Sequence, residues 1–196
     1  MNKLILFIAL GLIFINAGAQ NRFLTKDAKI NFNSSTPLED IIAESNQATT
    51  IIDIDKNEVA FSVLITSFKF RRALMEEHFN ENYMETAKKS IIDSTKQVIK
   101  VDYSKAKFNG KIISPIDWKS EKKVVVDVKG NLTMHGVTKE VALKAQITPG
   151  KNKIIAQAEF KIIPENFKIA IPSAVRDKIA KEVTIKIDAI YAPYQQ

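Results

Sequence analysis

Between residues 124 and 147 the apolar side chains change parity once, and that change limits the fold more than any other feature of the chain. Val124, Val126, Val128, Leu132 and Met134 hold even positions, whereas Val137, Val141, Leu143, Ala145 and Ile147 hold odd ones. Successive strand residues point to opposite faces, so an apolar face changes parity only through a turn or a bulge. His135-Gly136 stands at the change, and glycine takes positive φ without steric cost. Residues 128–141 therefore predict two antiparallel strands joined tightly. The segment carries few groups suited to chemistry.

The same alternation recurs along the chain. Ile30 and Phe32 alternate with polar neighbours, as do Thr50, Ile52 and Ile54 before a turn at Asp55-Lys56-Asn57. Val59, Phe61, Val63 and Ile65 form the answering strand, and residues 103–113 read as another, followed by a loop with Ser114-Pro115 and Trp118. Ile154, Ala156, Ala158, Phe160 and Ile162 alternate up to Pro164; Val183, Ile185, Ile187, Ala189 and Tyr191 close the series. About eight strands, each with one apolar face, predict a mainly β chain closed as an antiparallel barrel or stacked as a sandwich. Three stretches read as helical. Residues 37–44 follow Thr36 as a short helical turn, and residues 173–181 follow Pro172. In residues 67–100, Leu74, Phe79, Tyr83, Met84 and Ala87 have helical spacing. Such insertions close one end of a small barrel or line its mouth.

The first residues are read as a targeting segment. Lys3 precedes an apolar run over residues 4–15, and Ala17-Gly18-Ala19 before Gln20 has the form of a signal-peptidase site. The run is too short for a bilayer span of about 20 residues. The expectation is a periplasmic or secreted protein with one domain over residues 20–196. The chain has no cysteine, which excludes disulfides, thiolate metal sites and a lipid-modified cysteine at the cleavage site. Its net charge of +7 is spread along polar faces. That pattern gives no nucleic-acid footprint, leaves room for transient contact with an anionic membrane surface, and fixes no oligomeric state.

Chemistry-bearing groups are few. His78 and His135 are the only histidines, and neither has partners at metal-ligand or nucleophile spacing. His135 is expected to be a structural hydrogen-bonding residue, and His78 a partly exposed helix residue able to meet a polar head group. Arg71-Arg72 and Glu76-Glu77 read as solvated charge, and so does Arg176-Asp177. Asp53 and Asp55 flank Ile54 and are expected on the solvent face. No phosphate loop, nucleophile elbow or zinc-protease motif is present, so no catalytic residue, metal or cofactor is assigned. A small closed barrel either fills its interior with side chains or leaves space for one ligand, and the residues alone leave both open.

Several segments together resemble the YceI-like family of exported lipid-binding proteins. They are Ile30-Asn31-Phe32 with Ser34-Ser35-Thr36-Pro37-Leu38, residues 70–83 (FRRALMEEHFNENY), Phe108-Asn109-Gly110-Lys111-Ile112, residues 132–139 (LTMHGVTK) and residues 171–181 (IPSAVRDKIAK). The resemblance implies an eight-stranded antiparallel, lipocalin-like barrel with short helical insertions. It further implies an elongated apolar interior that holds a long isoprenoid or similar lipid, with no reaction catalysed. On that basis Phe61, Val63, Phe68, Phe70, Leu74, Phe79, Tyr83 and Met84 are expected to line the cavity or its mouth. Ile52, Ile54, Phe160, Ile185 and Ile187 would continue the wall, and His78 and Arg72 are the candidates for the head group. The alternative is a structural or interaction module with a packed interior. One departure stands out: residues 87–101 (AKKSIIDSTKQVIKV) replace the family's short step into the next strand, and are expected to cap, narrow or extend the mouth.

Overall fold

The computed structural model describes residues 21–92 and 94–194. The residues read as a targeting segment lie outside the described residues. Eight strands make the barrel: β1 (Arg22–Ser35), β2 (Asp40–Asp53), β3 (Glu58–Leu64), β4 (Lys105–Ile112), β5 (Val124–Met134), β6 (Val137–Thr148), β7 (Ile154–Ile162) and β8 (Val183–Pro193). Each pairs antiparallel with its sequence neighbour, and β8 returns to β1 through Ile30↔Ile187 and Phe32↔Ile185, which closes the sheet.

The parity change at His135-Gly136 is a two-residue hairpin. Met134 pairs Val137, and the two turn residues have φ of 49° and 72°. These positive values match the right-handed twist of the flanking strands. On β5, Val126, Val128, Leu132 and Met134 are buried while Val125, Asp127 and Lys129 face out. A Cβ on Gly136 would stand 2.6 Å from the Tyr103 ring, so glycine is required twice over.

Strands β1 and β2 carry facing irregularities. Inward residues run Phe23, Thr25, then Ala28, Ile30 on β1, and Ala43, Ser45, then Ala48, Thr50 on β2. The register shifts around Ala28↔Ala48, so both strands turn an apolar face back inward after one extra residue. Alanine at both positions lets the backbones bend toward the core.

Gly110 and Gly130 form a cross-strand pair on the inner face, covered by the Phe108 ring. A Cβ on Gly130 would lie 2.4 Å from the Asn109 carbonyl oxygen and from the Gly110 Cα, both backbone atoms. Overpacking of this kind costs about 1–3 kcal/mol. Gly130→Ala is therefore expected to lower the thermal midpoint by roughly 2–12 °C, on a scale of about 2–4 °C per kcal/mol for a domain of this size.

The described residues correct several expectations. Residues 37–44 are not helical. The Thr36 hydroxyl accepts the N–H groups of Leu38 (3.2 Å) and Glu39 (3.1 Å) within a tight turn, and β2 starts at Asp40. A Thr-Pro pair offers the same hydroxyl to a turn as to a helix cap. Between β3 and β4 only α1 (Ala73–His78) is α-helical, and it continues as one π-turn over Phe79–Tyr83. The extra segment forms a hairpin, Ser90–Ile92 with Val98–Lys100, in which Ile91 pairs Ile99 and Ile92 pairs Val98. β-branched residues in cross-strand pairs favour this over a helix face. The stretch after Pro172 is a 3₁₀ turn over Ser173–Lys178.

Asp53 is buried, whereas Asp55 remains exposed. It accepts Arg22 Nε at 3.1 Å and the Lys56 N–H at 3.2 Å, so it both joins β1 to β2 and opens the turn. Burial pushes its carboxyl up. The Arg22 and Lys56 hydrogen bonds and charges outweigh this and hold it below the ordinary carboxylate range.

Candidate functional site

The turn residues 54–57, the Trp118 loop and the turn between β6 and β7 gather at one end of the barrel. The Trp118 indole N–H donates to Asn57 Oδ1 at 2.9 Å there, and Trp118, Ile116 and Phe23 pack into the core. The opposite end carries the β1–β2 turn, α1 with its π-turn, the β5–β6 hairpin turn and the 3₁₀ turn before β8. This is the mouth.

Between the two ends lies an apolar cavity of about 540 Å³. The interior is thus not filled by side chains. Its size falls within the roughly 300–1,000 Å³ of small-molecule sites. Ile52, Phe61, Val63, Phe160, Ile185 and Ile187 form wall, and Phe68, Phe70, Arg72, Leu74, His78, Phe79, Tyr83 and Met84 come together around the mouth. Ile54 does not border the cavity. It sits in the turn beyond the end of β2 and packs on the core from below. Inward-facing Phe61, Phe160 and Ile187 are only partly buried, because they face open space rather than another side chain.

Four phenyl rings hold the mouth segment onto the barrel. Phe79 of the π-turn stands 5.3 Å from Phe32, 5.9 Å from Phe68 and 5.1 Å from Phe70, centroid to centroid. Such tilted and edge-on pairs contribute about 0.5–1.5 kcal/mol each beyond their burial. Arg72 pairs with Glu39 of the β1–β2 turn, and both border the cavity. Lys178 on the 3₁₀ turn also borders it and is exposed. His78 is exposed at the rim. Tyr83 is raised by burial.

The floor has a polar pair. The Tyr191 hydroxyl and Thr50 Oγ1 are 3.0 Å apart, and Thr50 donates to the Ala60 carbonyl at 2.9 Å. Burial pushes the Tyr191 phenol up to about 12, against the opposing effect of the Thr50 hydrogen bond.

Sequence reasoning missed what makes the space. Ala145, Ala156, Ala158 and Ala189 all border the cavity from β6, β7 and β8. Their inward parity was visible, but large side chains drew the assignment. Glu39 and Lys178 were missed as well. No described residue of 87–101 borders the cavity, so these residues do not cap or narrow the mouth as expected. The hairpin hangs beside the mouth instead.

His135 is structural. The ring is buried, its Nδ1 lies 3.1 Å from the Phe167 carbonyl oxygen, its Nε2 lies 3.0 Å from Glu85 Oε2, and Tyr103 packs on it at 4.3 Å. It thereby ties the β5–β6 turn to both long connections of the mouth. The Lys88 hydrogen bond holds the Glu85 carboxyl below its ordinary range, against burial and with added help from His135. Among the described residues, no three of His, Asp and Glu gather as a metal site.

Both Asp53 and Glu85 are lowered in the folded state. A carboxyl with a depressed folded pKa adds stability above its unfolded pKa of about 4, and that stability is lost as pH falls through the folded value. Thermal midpoints are therefore expected to hold from pH 7 to 5 and to fall below about pH 4. Asp53→Asn, measured across the same series, should melt lower at neutral pH and show a shallower decline.

A YceI-like domain model matches residues 22–191. No curated protein sequence matches the chain. Several solved structures share the fold, three of them as follows. A polyisoprenoid-binding domain from Saccharophagus degradans, implicated in plant cell wall breakdown, aligns over 89% of this chain and 99% of its own at 16% identity and a TM-score of 0.69. BcnA of Burkholderia cenocepacia aligns over 84% and 96%, at 16% identity and 0.64. A YCEI protein of Campylobacter jejuni aligns over 79% and 85%, at 18% identity and 0.57. The structures establish the barrel, and the domain match runs from the first residue of β1 to Tyr191 in β8. The chain belongs to the YceI-like family.

Proposed function

We propose that this protein is an exported carrier that sequesters a long apolar ligand, an isoprenoid or fatty-acyl amphiphile, inside the barrel. The observation that carries the reading is the 540 Å³ apolar cavity, bordered at the mouth by Glu39, Arg72 and Lys178, with Phe23, Ile116 and Trp118 packed into the core at the other end. The tail lies between the walls of β2, β3, β7 and β8, and the head group stays at the mouth near Arg72, His78 and Lys178. Each methylene taken from water contributes about 0.8 kcal/mol at most, so a long chain binds firmly with little polar recognition. The S. degradans relative, described as polyisoprenoid-binding, favours a prenyl chain. The reading is of a binding protein, without catalysis and without a cofactor. The N-terminal segment ending near Ala19-Gln20 supports a periplasmic or secreted location.

Native mass spectrometry of gently purified protein, with lipid extraction, tests this. A bound species releasing a prenyl or acyl mass is the expected result. Apo protein alone, together with no uptake of added polyprenol or fatty acid from detergent, overturns it.

A further inference from the structure

Among the described residues, the hairpin over 90–100 is the segment that neither the barrel nor the cavity explains. A two-stranded hairpin is marginal in water unless one face is covered. Here both faces are apolar. Ile91 and Ile99 share one face. Ile92 and Val98 share the other and are 74% and 71% exposed. The base is anchored: the Val101 N–H donates to the Lys89 carbonyl at 3.0 Å, Lys88 binds Glu85 at 2.7 Å, and Glu85 holds His135. An uncovered apolar pair is thus presented on a fixed stem.

Charge identifies what covers it. Residues 87–101 contain Lys88, Lys89, Lys96 and Lys100 against the single acid Asp93. Lys89, Lys96 and Lys100 are exposed. An apolar cross-strand pair flanked by lysines suits the boundary of an anionic bilayer, where the apolar residues enter the acyl margin and the lysines meet the head groups. Two further apolar residues are exposed at the same end of the barrel: Leu38 on the β1–β2 turn (68%) and Leu74 on α1 (59%), which borders the cavity mouth. We infer that the hairpin is a membrane-docking element that sets the mouth end of the barrel against an anionic lipid surface. The inference concerns a different surface from the cavity and goes beyond the ligand reading. Docking would shorten the path through water for any chain that enters or leaves.

The test is cosedimentation of the whole mature protein with vesicles of phosphatidylcholine alone and of phosphatidylcholine with phosphatidylglycerol. Binding to the anionic vesicles is expected, with at least a tenfold loss when salt is raised from about 0.1 to about 0.5 M. Ile92→Ser with Val98→Ser should reduce anionic-vesicle binding at least tenfold, and so should Lys89→Gln with Lys96→Asn and Lys100→Gln. Asparagine suits the φ of 64° at Lys96. Thermal midpoints verify that the variants fold. Uptake of polyprenol from detergent micelles is measured on the same variants and should not change, so failure of docking and failure of the cavity reading are told apart. Equal binding to both vesicle types, unaffected variants, or concentration-dependent dimerisation lost with the Ile92 and Val98 changes would overturn the inference.

Discussion

Ala158→Trp is expected to abolish lipid retention while the barrel still folds. Ala158 faces the cavity from the middle of β7, paired with Ala145 of β6 and Ile187 of β8. An indole placed there enters open space instead of a packed core, so it avoids most of the strain that overpacking produces. It would displace a stretch of ligand comparable to about five methylenes, each contributing about 0.8 kcal/mol, or about 4 kcal/mol in all. That corresponds to an affinity loss of roughly a thousandfold. The measurement is the mass of lipid released per mole of purified protein, with polyprenol titration as the quantitative arm. Unchanged retention in a folded Ala158→Trp protein would place the ligand outside the barrel. Ala156→Phe, one inward position nearer the floor, should give a graded version: long chains excluded and shorter ones still held.

The second large effect is on stability. His135→Asn keeps a residue that tolerates the φ of 49° but removes the imidazole from its buried site. The Phe167 carbonyl then loses its partner, Glu85 Oε2 loses the imidazole while Oε1 keeps Lys88, and Tyr103 loses the ring it packs on. An unsatisfied buried polar group costs about 1–3 kcal/mol, and with the lost packing the total is about 2–4 kcal/mol. Chemical denaturation should show it as a fall in midpoint with little change in slope. His78→Ala, on the exposed rim, should move the midpoint by no more than about 0.5 kcal/mol. If the two substitutions prove equal, the His135 contacts do not clasp the mouth loops.

Much of the barrel was legible because each strand has one wet and one dry face. Alternation at Val124–Met134 and Val183–Pro193 reads directly as inward and outward sides. Where one residue serves two local structures, the pattern misleads. Thr36-Pro37 suits a helix cap and a β-turn alike, and only pairing of Ser35 with Asp40 decides between them. Asp53 looked solvent-facing because its neighbour across the strand pair, Arg22, lies 31 positions away. Most residues read as wall by parity border the cavity, and Ile54 does not, because alternation does not reveal where a strand ends. The alanines were overlooked for a different reason. Hydrophobicity marks what fills a core, and a cavity is made by what is absent. Pairing Ala145 with Ala158 and Ala156 with Ala189 requires the strand register, which only the closed sheet supplies.

The Tyr191–Thr50 pair under the cavity has one more consequence. Under the proposed carrier reading, a chain entering tail-first at the mouth would come to rest against this pair, because Thr50 and Tyr191 both border the cavity. On that reading the barrel would work as a ruler with its zero at Tyr191: chain length would be read out by how far the head group protrudes at the rim, and selection among homologous lipids would become a matter of where the head stops.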